Sequence, residues 1–318
     1  MGTQVSVVMP AYNERPNLAE LVPETLRVLQ QAGMPFEVIV VDDGSVDGTQ
    51  QLMGQLSTPE LVPLRLRRNA GKSAALSIGL SRAKGEYVVL MDADGQDDPH
   101  EIPRLLAVLE GADADDARID APVDIVTGRR ADRHDGFVKR TTSKLYNRVT
   151  SVVTGVPGRD FNSGLKVMRR DVAQGLELYG ELHRYIPVLA EWRGYRVAEV
   201  DVHHQSRWHG ASKFGRARFW RGFLDLMTVK FLTTYTVRPF HLFGGLGLLM
   251  GVAGSGLLGW MLVSWARGQA VGTRPALLTG VFLVVVAVQM VFFGLLAELI
   301  VHLRRRRNLD AAVEVDEV

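Results

Sequence analysis

Asp92-Ala93-Asp94 is the spacing in this chain that most directly suggests chemistry. Two carboxylates one residue apart follow the β-prone run Tyr87-Val88-Val89-Leu90-Met91, so they share a tight turn at a strand end. Hard oxygen ligands of this kind suit Mg²⁺ or Mn²⁺, with the remaining coordination filled by substrate phosphates and water. A diphosphate leaving group needs its charge neutralised as the bond to it breaks, and a Lewis-acidic ion supplies this. Gln96 offers a neutral oxygen in the same turn. The same pattern equally describes an acidic turn capping a helix. An EF-hand is excluded, because Asp97 holds the sixth position of such a loop, where Gly is required, and Pro103 the twelfth.

A second acidic turn, Asp42-Asp43-Gly44-Ser45, ends another apolar run. A carboxylate there can accept from a ribose hydroxyl or a base N–H, or it can serve only as a turn with a helix cap at Ser45 or Asp47. Gly71-Lys72-Ser73 lacks the earlier glycine of a P-loop, since Leu66 stands at that position, and no GxGxxG follows the first strand. ATPase and nicotinamide chemistry are thereby disfavoured, while Lys72 remains able to meet a donor phosphate as a point charge. His203-His204 would point to opposite faces of a strand, and no HExxH spacing is present.

These residues need elements to hold them. Strands are expected at Val5–Met9, Phe36–Val41, Leu64–Leu66, Glu86–Met91, Asp124–Thr127, Ser163–Met168 and Arg196–Val202. Helices are expected at Asn17–Gln31, Gly71–Ala83 and Thr141–Thr154, with an acidic surface loop over Gly111–Pro122. Such alternation implies an α/β domain with a mostly parallel sheet covered on both faces. Ligands in such sheets sit beyond the carboxyl ends of the strands. Pro10–Glu14, Asp42–Ser45 and Asp92–Gln96 all fall at such ends, so the three loops are expected to converge on one site.

From Phe240 to Leu303 the chain is almost uncharged, apart from Arg267, Arg274 and Glu298. Phe240–Trp265 and Ala276–Leu303 each exceed the ~20 residues a membrane-crossing helix needs. Arg304 to Arg307 follow the second span, and Lys230 and Arg238 precede the first, which places both ends and the large domain on the cytoplasmic side. Phe214–Tyr235 interleaves aromatic residues with Arg216, Arg218, Arg221 and Lys230, as an interfacial amphipathic helix does. The expected organisation is a catalytic domain over 1–212, this helix over 213–237, two spans within 238–303 and a cytoplasmic tail over 304–318. The absence of cysteine excludes disulfides and thiolate metal sites, and no cleaved signal is apparent at the N-terminus.

VSVVMPAYNE, VIVVDDGSVDGT, NAGKSAAL and YVVLMDADGQDDP, in this order, resemble the nucleotide-diphospho-sugar (GT-A, Rossmann-like) fold of family 2 glycosyltransferases. TGRR, DFNSGLKVMRRD, ELHRYIPVL and SRWHGASKFG resemble its polyprenyl-phosphate branch, which includes dolichol-phosphate mannose synthases and bactoprenol-phosphate glucosyltransferases. The resemblance implies that Asp92, Asp94 and Gln96 hold the metal. It also implies that Pro10, Ala11, Tyr12, Asn13, Glu14, Asp42, Asp43, Lys72, Asp92 and Ala93 bind the donor nucleotide. Arg129, Arg140 and Ser143 would receive the acceptor phosphate, with Lys139 an alternative to Arg140; Arg207 and Lys213 would close over the diphosphate, and Asp160 matches a residue essential in the family.

The chemistry is consistent with this. A lipid monophosphate, with a second pKa of about 6, needs no general base, only a cationic cradle. Asp160 is accordingly read as orienting the arginines or the acceptor. The function expected is metal-dependent, inverting transfer of a hexose from a UDP-glucose or GDP-mannose type donor to a polyprenyl phosphate. A processive polysaccharide synthase is the alternative enzyme, but Gln205-Ser206-Arg207-Trp208 is one residue short of QxxRW and only two spans are present. A non-catalytic nucleotide-sugar-binding subunit is the third reading. No nucleic-acid partner is expected. The glycines of the first span, Gly244, Gly245, Gly247, Gly251, Gly254 and Gly256, suggest close helix packing and a homo-oligomer.

Overall fold

The computed structural model describes residues 3–111, 123–130, 148–151, 154–156, 160–203, 205, 227–231, 239–272 and 275–313. The helix expected over 141–154 and the amphipathic segment over 214–235 fall largely outside these residues, although 227–231 are helical. The chain forms two compact units, Met1–Val229 and Lys230–Val318.

In the first unit, β1 (Val5–Ala11), α1 (Arg15–Ala32), β2 (Phe36–Asp42), α2 (Thr49–Gln55), β3 (Leu61–Arg65), α3 (Lys72–Arg82) and β4 (Tyr87–Leu90) alternate as expected. They are followed by α4 (Glu101–Glu110), β5 (Ile125–Arg130), β6 (Lys166–Arg169), α5 (Arg170–Gly175), a 3₁₀ turn (Leu182–Tyr185), α6 (Ile186–Trp192) and β7 (Val197–Val202). Helix α1 shows why the sequence folds so locally. Leu18, Leu21, Val22, Leu26 and Leu29 recur at helical spacing and are buried, Pro16 stands in the first turn, and Gly33 ends the helix in the left-handed region at φ 71°. Its apolar stripe packs on Val5, Val7 and Met9 of β1 and Val38 and Val40 of β2 in one continuous core.

The seven strands lie in the order β3-β2-β1-β4-β6-β5-β7. All are parallel except β6, which is antiparallel to both β4 and β5. The sheet is therefore mostly parallel, as expected, but mixed. Chain order gives the reason. The chain leaves β5 at the carboxyl edge and, after residues 131–165, enters β6 from that same edge without crossing over. The first residue of β6, Lys166, consequently pairs with Leu90 at the end of β4. Ala11 pairs with Asp42 at the ends of β1 and β2, so the loops after β1, β2 and β4 meet at one edge.

In the second unit α7 (Pro239–Ala266) and α8 (Pro275–Val313) form a helical hairpin, each beginning at a proline. Residues Pro239–Ala266 and Pro275–Leu303 are long and apolar enough to cross a membrane. Leu248, Leu249, Leu278, Phe282 and Phe292 are exposed, an arrangement suited to lipid rather than water. Within the tail expected from residue 304, α8 continues to Val313, because no Gly or Pro interrupts the helix-forming run after Leu303. Glu298 of α8 accepts from the Phe240 N–H at 3.3 Å, satisfying one amide of the first turn of α7.

The glycines of α7 separate into two groups. A Cβ at Gly247 would lie 2.9 Å from the Ala287 carbonyl oxygen, and one at Gly254 would lie 2.9 Å from that of Gly280, whereas Gly245, Gly256 and Gly259 face open space. Only the first group is required for the two helices to approach each other. Gly247→Leu is therefore expected to lower the thermal stability of the hairpin, by about 1–3 kcal/mol from overpacking. Gly256→Leu should leave it within experimental error, as read by melting of the detergent-solubilised protein; equal effects would refute this division.

Candidate active site

The site is built where the strand ends meet. After β1, Asn13 adopts φ 54°, and the two loops clasp each other through it. The Asn13 N–H donates to Ser45 Oγ at 2.8 Å, and Asn13 Oδ1 accepts from the Val46 N–H at 2.9 Å. Glu14 Oε2 accepts from Asn17 Nδ2 at 2.5 Å, and Tyr12 is exposed beside them. Pro10 and Ala11 belong to β1 itself, with Ala11 buried.

Asp42 and Asp43 are both buried. Asp43 accepts from the Ala70 and Gly71 N–H groups at 2.7 and 2.9 Å, and Asp42 accepts from the Ser45 N–H at 2.8 Å and faces Arg65 Nε at 3.5 Å. The pair expected to meet the nucleotide thus buttresses the loops on either side of it. Asp42 Oδ2 is buried and accepts no hydrogen bond among the described residues.

Beyond β4, Gly95 takes φ 73° and the Gln96 N–H donates to Asp94 Oδ1 at 3.2 Å, forming the tight turn. Asp92 and Asp94 are half-buried, and Ala93 is buried between them. Lys72, the first residue of α3, places Nζ 2.5 Å from Asp92 Oδ1. Burial alone would raise the pKa of Asp92, but the Lys72 charge and hydrogen bond, with the Lys166 charge behind them, hold it below the ordinary value. Asp92 is therefore a stable carboxylate. Buried Asp97 accepts from the Asp92 N–H at 3.2 Å. Gly164 closes this layer, because a Cβ there would lie 2.3 Å from Asp97 Oδ2 and 2.6 Å from Asp92 Cγ.

The chain after β5 and the strand beside it complete the site. Asp160 is buried and takes Arg130 in a two-pronged pair, Nε to Oδ2 at 2.7 Å and Nη2 to Oδ1 at 2.8 Å, while its own N–H donates to Glu199 Oε1 at 3.1 Å. Burial works against the Arg130 charge, yet Asp160, Asp97 and Asp92 outweigh it and raise its pKa. Successive residues on a strand face opposite ways. Arg129, expected to hold the acceptor phosphate, is paired with Asp201, directly opposite on β7, and it is Arg130 that turns toward the Asp92 side. Sequence reading missed Arg130, although the TGRR run offered both.

Lys166, His183 and Ser163 were also missed. Lys166 is buried, donates to the Ser163 carbonyl, and has its pKa lowered to about 8 by burial and by Lys72. A lone lysine among the apolar residues of Leu165–Met168 was the available signal. His183 Nδ1 lies 3.0 Å from Ser73 Oγ on α3, and burial together with the charges of Lys72 and Arg184 lowers its pKa to about 2. His183 is thus neutral at physiological pH.

That shift has a measurable consequence. A depressed folded-state pKa means the unfolded chain binds the extra proton first, so the associated stability is full above about pH 6.5 and is lost as pH falls from there toward about 2. At pH 5.5 the expected loss is on the order of 1 kcal/mol. Melting curves between pH 7.5 and 5.5 should show this slope in the wild type and a shallower one in His183→Asn. Parallel slopes would refute it.

Gln96 connects the Asp92–Asp94 turn to the chain after β7: the Gln205 N–H donates to the Gln96 carbonyl at 2.9 Å. Arg140, Ser143, Arg207 and Lys213, and the alternative Lys139, lie outside the described residues. Among the described residues no cluster of three or more His, Asp or Glu side chains is placed to hold a metal ion. The donor set of Asp92, Asp94 and Gln96 still fits a hard cation such as Mg²⁺, which takes one or two carboxylates and completes its shell with phosphate and water.

Residues 6–176 match the model of glycosyl transferase family 2. A dodecaprenyl-phosphate galacturonate synthase of Rhizobium johnstonii is 35% identical over 304 residues, covering 93% of this chain and 87% of the relative. An undecaprenyl-phosphate 4-deoxy-4-formamido-L-arabinose transferase of Edwardsiella ictaluri is 34% identical over 303 residues, covering 93% and 88%. Among solved structures, glucosyl-3-phosphoglycerate synthase of Mycobacterium tuberculosis, in complex with Mn²⁺, UDP and its product, superposes with a TM-score of 0.54 at 18% identity, covering 73% of this chain and 80% of that one. Mannosyl-3-phosphoglycerate synthase of Rubrobacter xylanophilus does so at 0.54 and 20%, covering 72% and 73%. These structural likenesses establish the GT-A-like fold.

Proposed function

Because this chain belongs to glycosyl transferase family 2 and is a glycosyltransferase, we propose that it moves a hexose-sized sugar from a nucleotide donor to a polyprenyl phosphate at the cytoplasmic membrane face. The observation that carries this reading is how the titratable groups at the strand ends are tuned. Asp92 is held ionised by Lys72, Asp160 is committed to Arg130, and His183 is neutral with little basicity. None of these is poised to take a proton from an alcohol near neutral pH. A phosphate nucleophile, already an anion, asks for no such base and needs cations instead.

In the reaction, an acceptor phosphate oxygen attacks the anomeric carbon, the bond from that carbon to the diphosphate breaks, and the nucleoside diphosphate leaves with both electrons. Single displacement inverts the configuration. Asp92, Asp94 and Gln96 would hold a divalent cation, which when bound neutralises the departing diphosphate. Lys72 is placed to give the same leaving group a direct countercharge. Arg130, fixed by Asp160, supplies positive potential beside Asp92, and the roles of Arg140, Ser143, Arg207 and Lys213 as phosphate ligands belong to this reading as well.

Support for the acceptor comes from the polyprenyl-phosphate activities of the two relatives and from the two apolar helices. Their sugars differ, one a uronic acid and one a formamido pentose, so the sugar does not follow from kinship. Basic residues before α7 and after Leu303 favour a cytoplasmic catalytic unit, and a homo-oligomer remains part of the proposal. The test incubates purified protein with Mg²⁺ or Mn²⁺, polyprenyl phosphate and labelled UDP- and GDP-sugars. An organic-soluble, mild-acid-labile product is expected, and label found only on a lengthening glycan would overturn the acceptor.

A further inference from the structure

The chain beyond β7 is tied to the Asp92–Asp94 turn by contacts that the reaction scheme leaves unused. β7 lies at the edge of the sheet, with β5 and β6 between it and β4. The residues after it nevertheless return to the loop after β4. The Gln205 N–H donates to the Gln96 carbonyl at 2.9 Å, and Gln96 Nε2 donates to the Gln205 carbonyl at 3.5 Å. Helix α4 fastens the same stretch a second time. Glu101 Oε1 accepts from the His203 N–H at 3.1 Å, and Arg104 Nη1 donates to the Asp201 carbonyl at 3.0 Å. Glu101 Oε2 also accepts from Arg104 Nη1 at 3.1 Å, so the two side chains brace each other.

Each of these four contacts to the stretch uses one of its main-chain atoms. The side chains that hold it belong to the turn and to α4. Its path beside the turn is therefore set by Gln96, Glu101 and Arg104, through bonds that tolerate changes in its own side chains.

The consequence falls on Gln96. A carboxamide presents oxygen at one end and two N–H donors at the other, and its terminal torsion is broad and roughly two-fold. A hard cation accepts only the oxygen. Gln96 is anchored by its own N–H on Asp94 Oδ1 and by its carbonyl on the Gln205 N–H, so its side chain departs from a fixed point. With Nε2 committed to the Gln205 carbonyl, Oε1 is the end left to a ligand.

We propose that the chain after β7 orients Gln96 for the divalent cation, with the Gln205 main chain and Glu101 as positioning groups rather than ligands. The assignment rests on the metal reading above and adds the layer behind its neutral ligand. Partners of this kind, which fix the orientation of a metal ligand, are typically worth about 10- to 100-fold in metal affinity.

The test measures affinity of the full-length protein in detergent for UDP and GDP, with and without Mn²⁺. The gain on adding Mn²⁺ reads the cation's contribution apart from turnover. A wild-type gain of about tenfold or more is expected. Gln205→Pro, which lacks the N–H, should forfeit most of that gain while keeping its melting temperature and metal-free nucleotide affinity. Glu101→Ala should lose a smaller part. Glu101→Gln, whose amide oxygen can still accept from the His203 N–H, should recover it. In a Gln96→Ala background, Gln205→Pro and Glu101→Ala should change the gain by less than about twofold, because the group they orient is gone.

Equal fold-losses in both backgrounds would show that these contacts only stabilise the fold, and would overturn the proposal. So would a full gain in folded Gln205→Pro. Should that variant not fold, the Glu101 pair decides in the same way. No Mn²⁺ gain in the wild type, or a gain unaffected by Asp94→Ala, would remove the metal reading and this proposal together. Label reaching polyprenyl phosphate would in that case still uphold the glycosyl-transfer reading.

Discussion

Asp94→Ala is expected to yield a folded protein whose sugar transfer is slower by on the order of 10³-fold at saturating donor. The structural cost should be small. Asp94 is half-buried at a turn, and its Oδ1 accepts from the Gln96 N–H at 3.2 Å, a bond worth about 1 kcal/mol. Asp92 is the less informative choice, because its removal would leave the Lys72 ammonium without the carboxylate it meets at 2.5 Å and disturb the layer under Gly164. Initial rates over a Mg²⁺ or Mn²⁺ titration, with melting measured alongside, separate the two effects. A variant within tenfold of wild type at saturating metal would remove the Asp92–Asp94 turn from the donor site.

The second large effect is expected at Asp160. Its carboxylate is 1% exposed and both oxygens are occupied by the Arg130 guanidinium. Asp160→Ala leaves the largely buried Arg130 without its paired carboxylate, a change that costs about 3–5 kcal/mol. In a unit of this size that corresponds to a melting point lower by roughly 6–20 °C. A paired replacement, Asp160→Leu with Arg130→Met, removes both charges and should recover most of the stability. Activity should not return with it, because the positive potential beside Asp92 is gone. Recovery of both stability and turnover in the double variant would show that the pair is scaffolding alone.

The two predictions differ in how far each was readable from the chain itself. Asp94 lies within four residues of its partner in the turn, so the DADGQ run contains its local geometry, including the Gly95 that the left-handed backbone requires. Asp160 and Arg130 are thirty residues apart, and a pair at that separation has no periodicity to announce it. Arg129 and Arg130 are chemically identical and adjacent. Only the pleat of β5 and the position of Asp201 on β7 decide that Arg129 pairs with Asp201 and Arg130 with Asp160.

By itself the sequence determined the alternation of strands and helices, because burial of one face writes itself into the chain at a period of two or near four. It determined that the loops after β1, β2 and β4 converge, since parallel strands place their carboxyl ends together. It determined the two apolar helices, since ~20 consecutive apolar residues have few other uses. The Asp92–Asp94 turn was legible for the same local reason. What only the tertiary structure decided was everything that joins distant segments: the reversal of β6, the arrival of Lys166 beside Leu90, the bonding of Asp43 to the loop before α3, and the closure of Lys72 onto Asp92. Strand direction depends on which edge the chain re-enters, and side-chain pairing depends on which surfaces then meet. Neither quantity is a property of any short stretch of sequence.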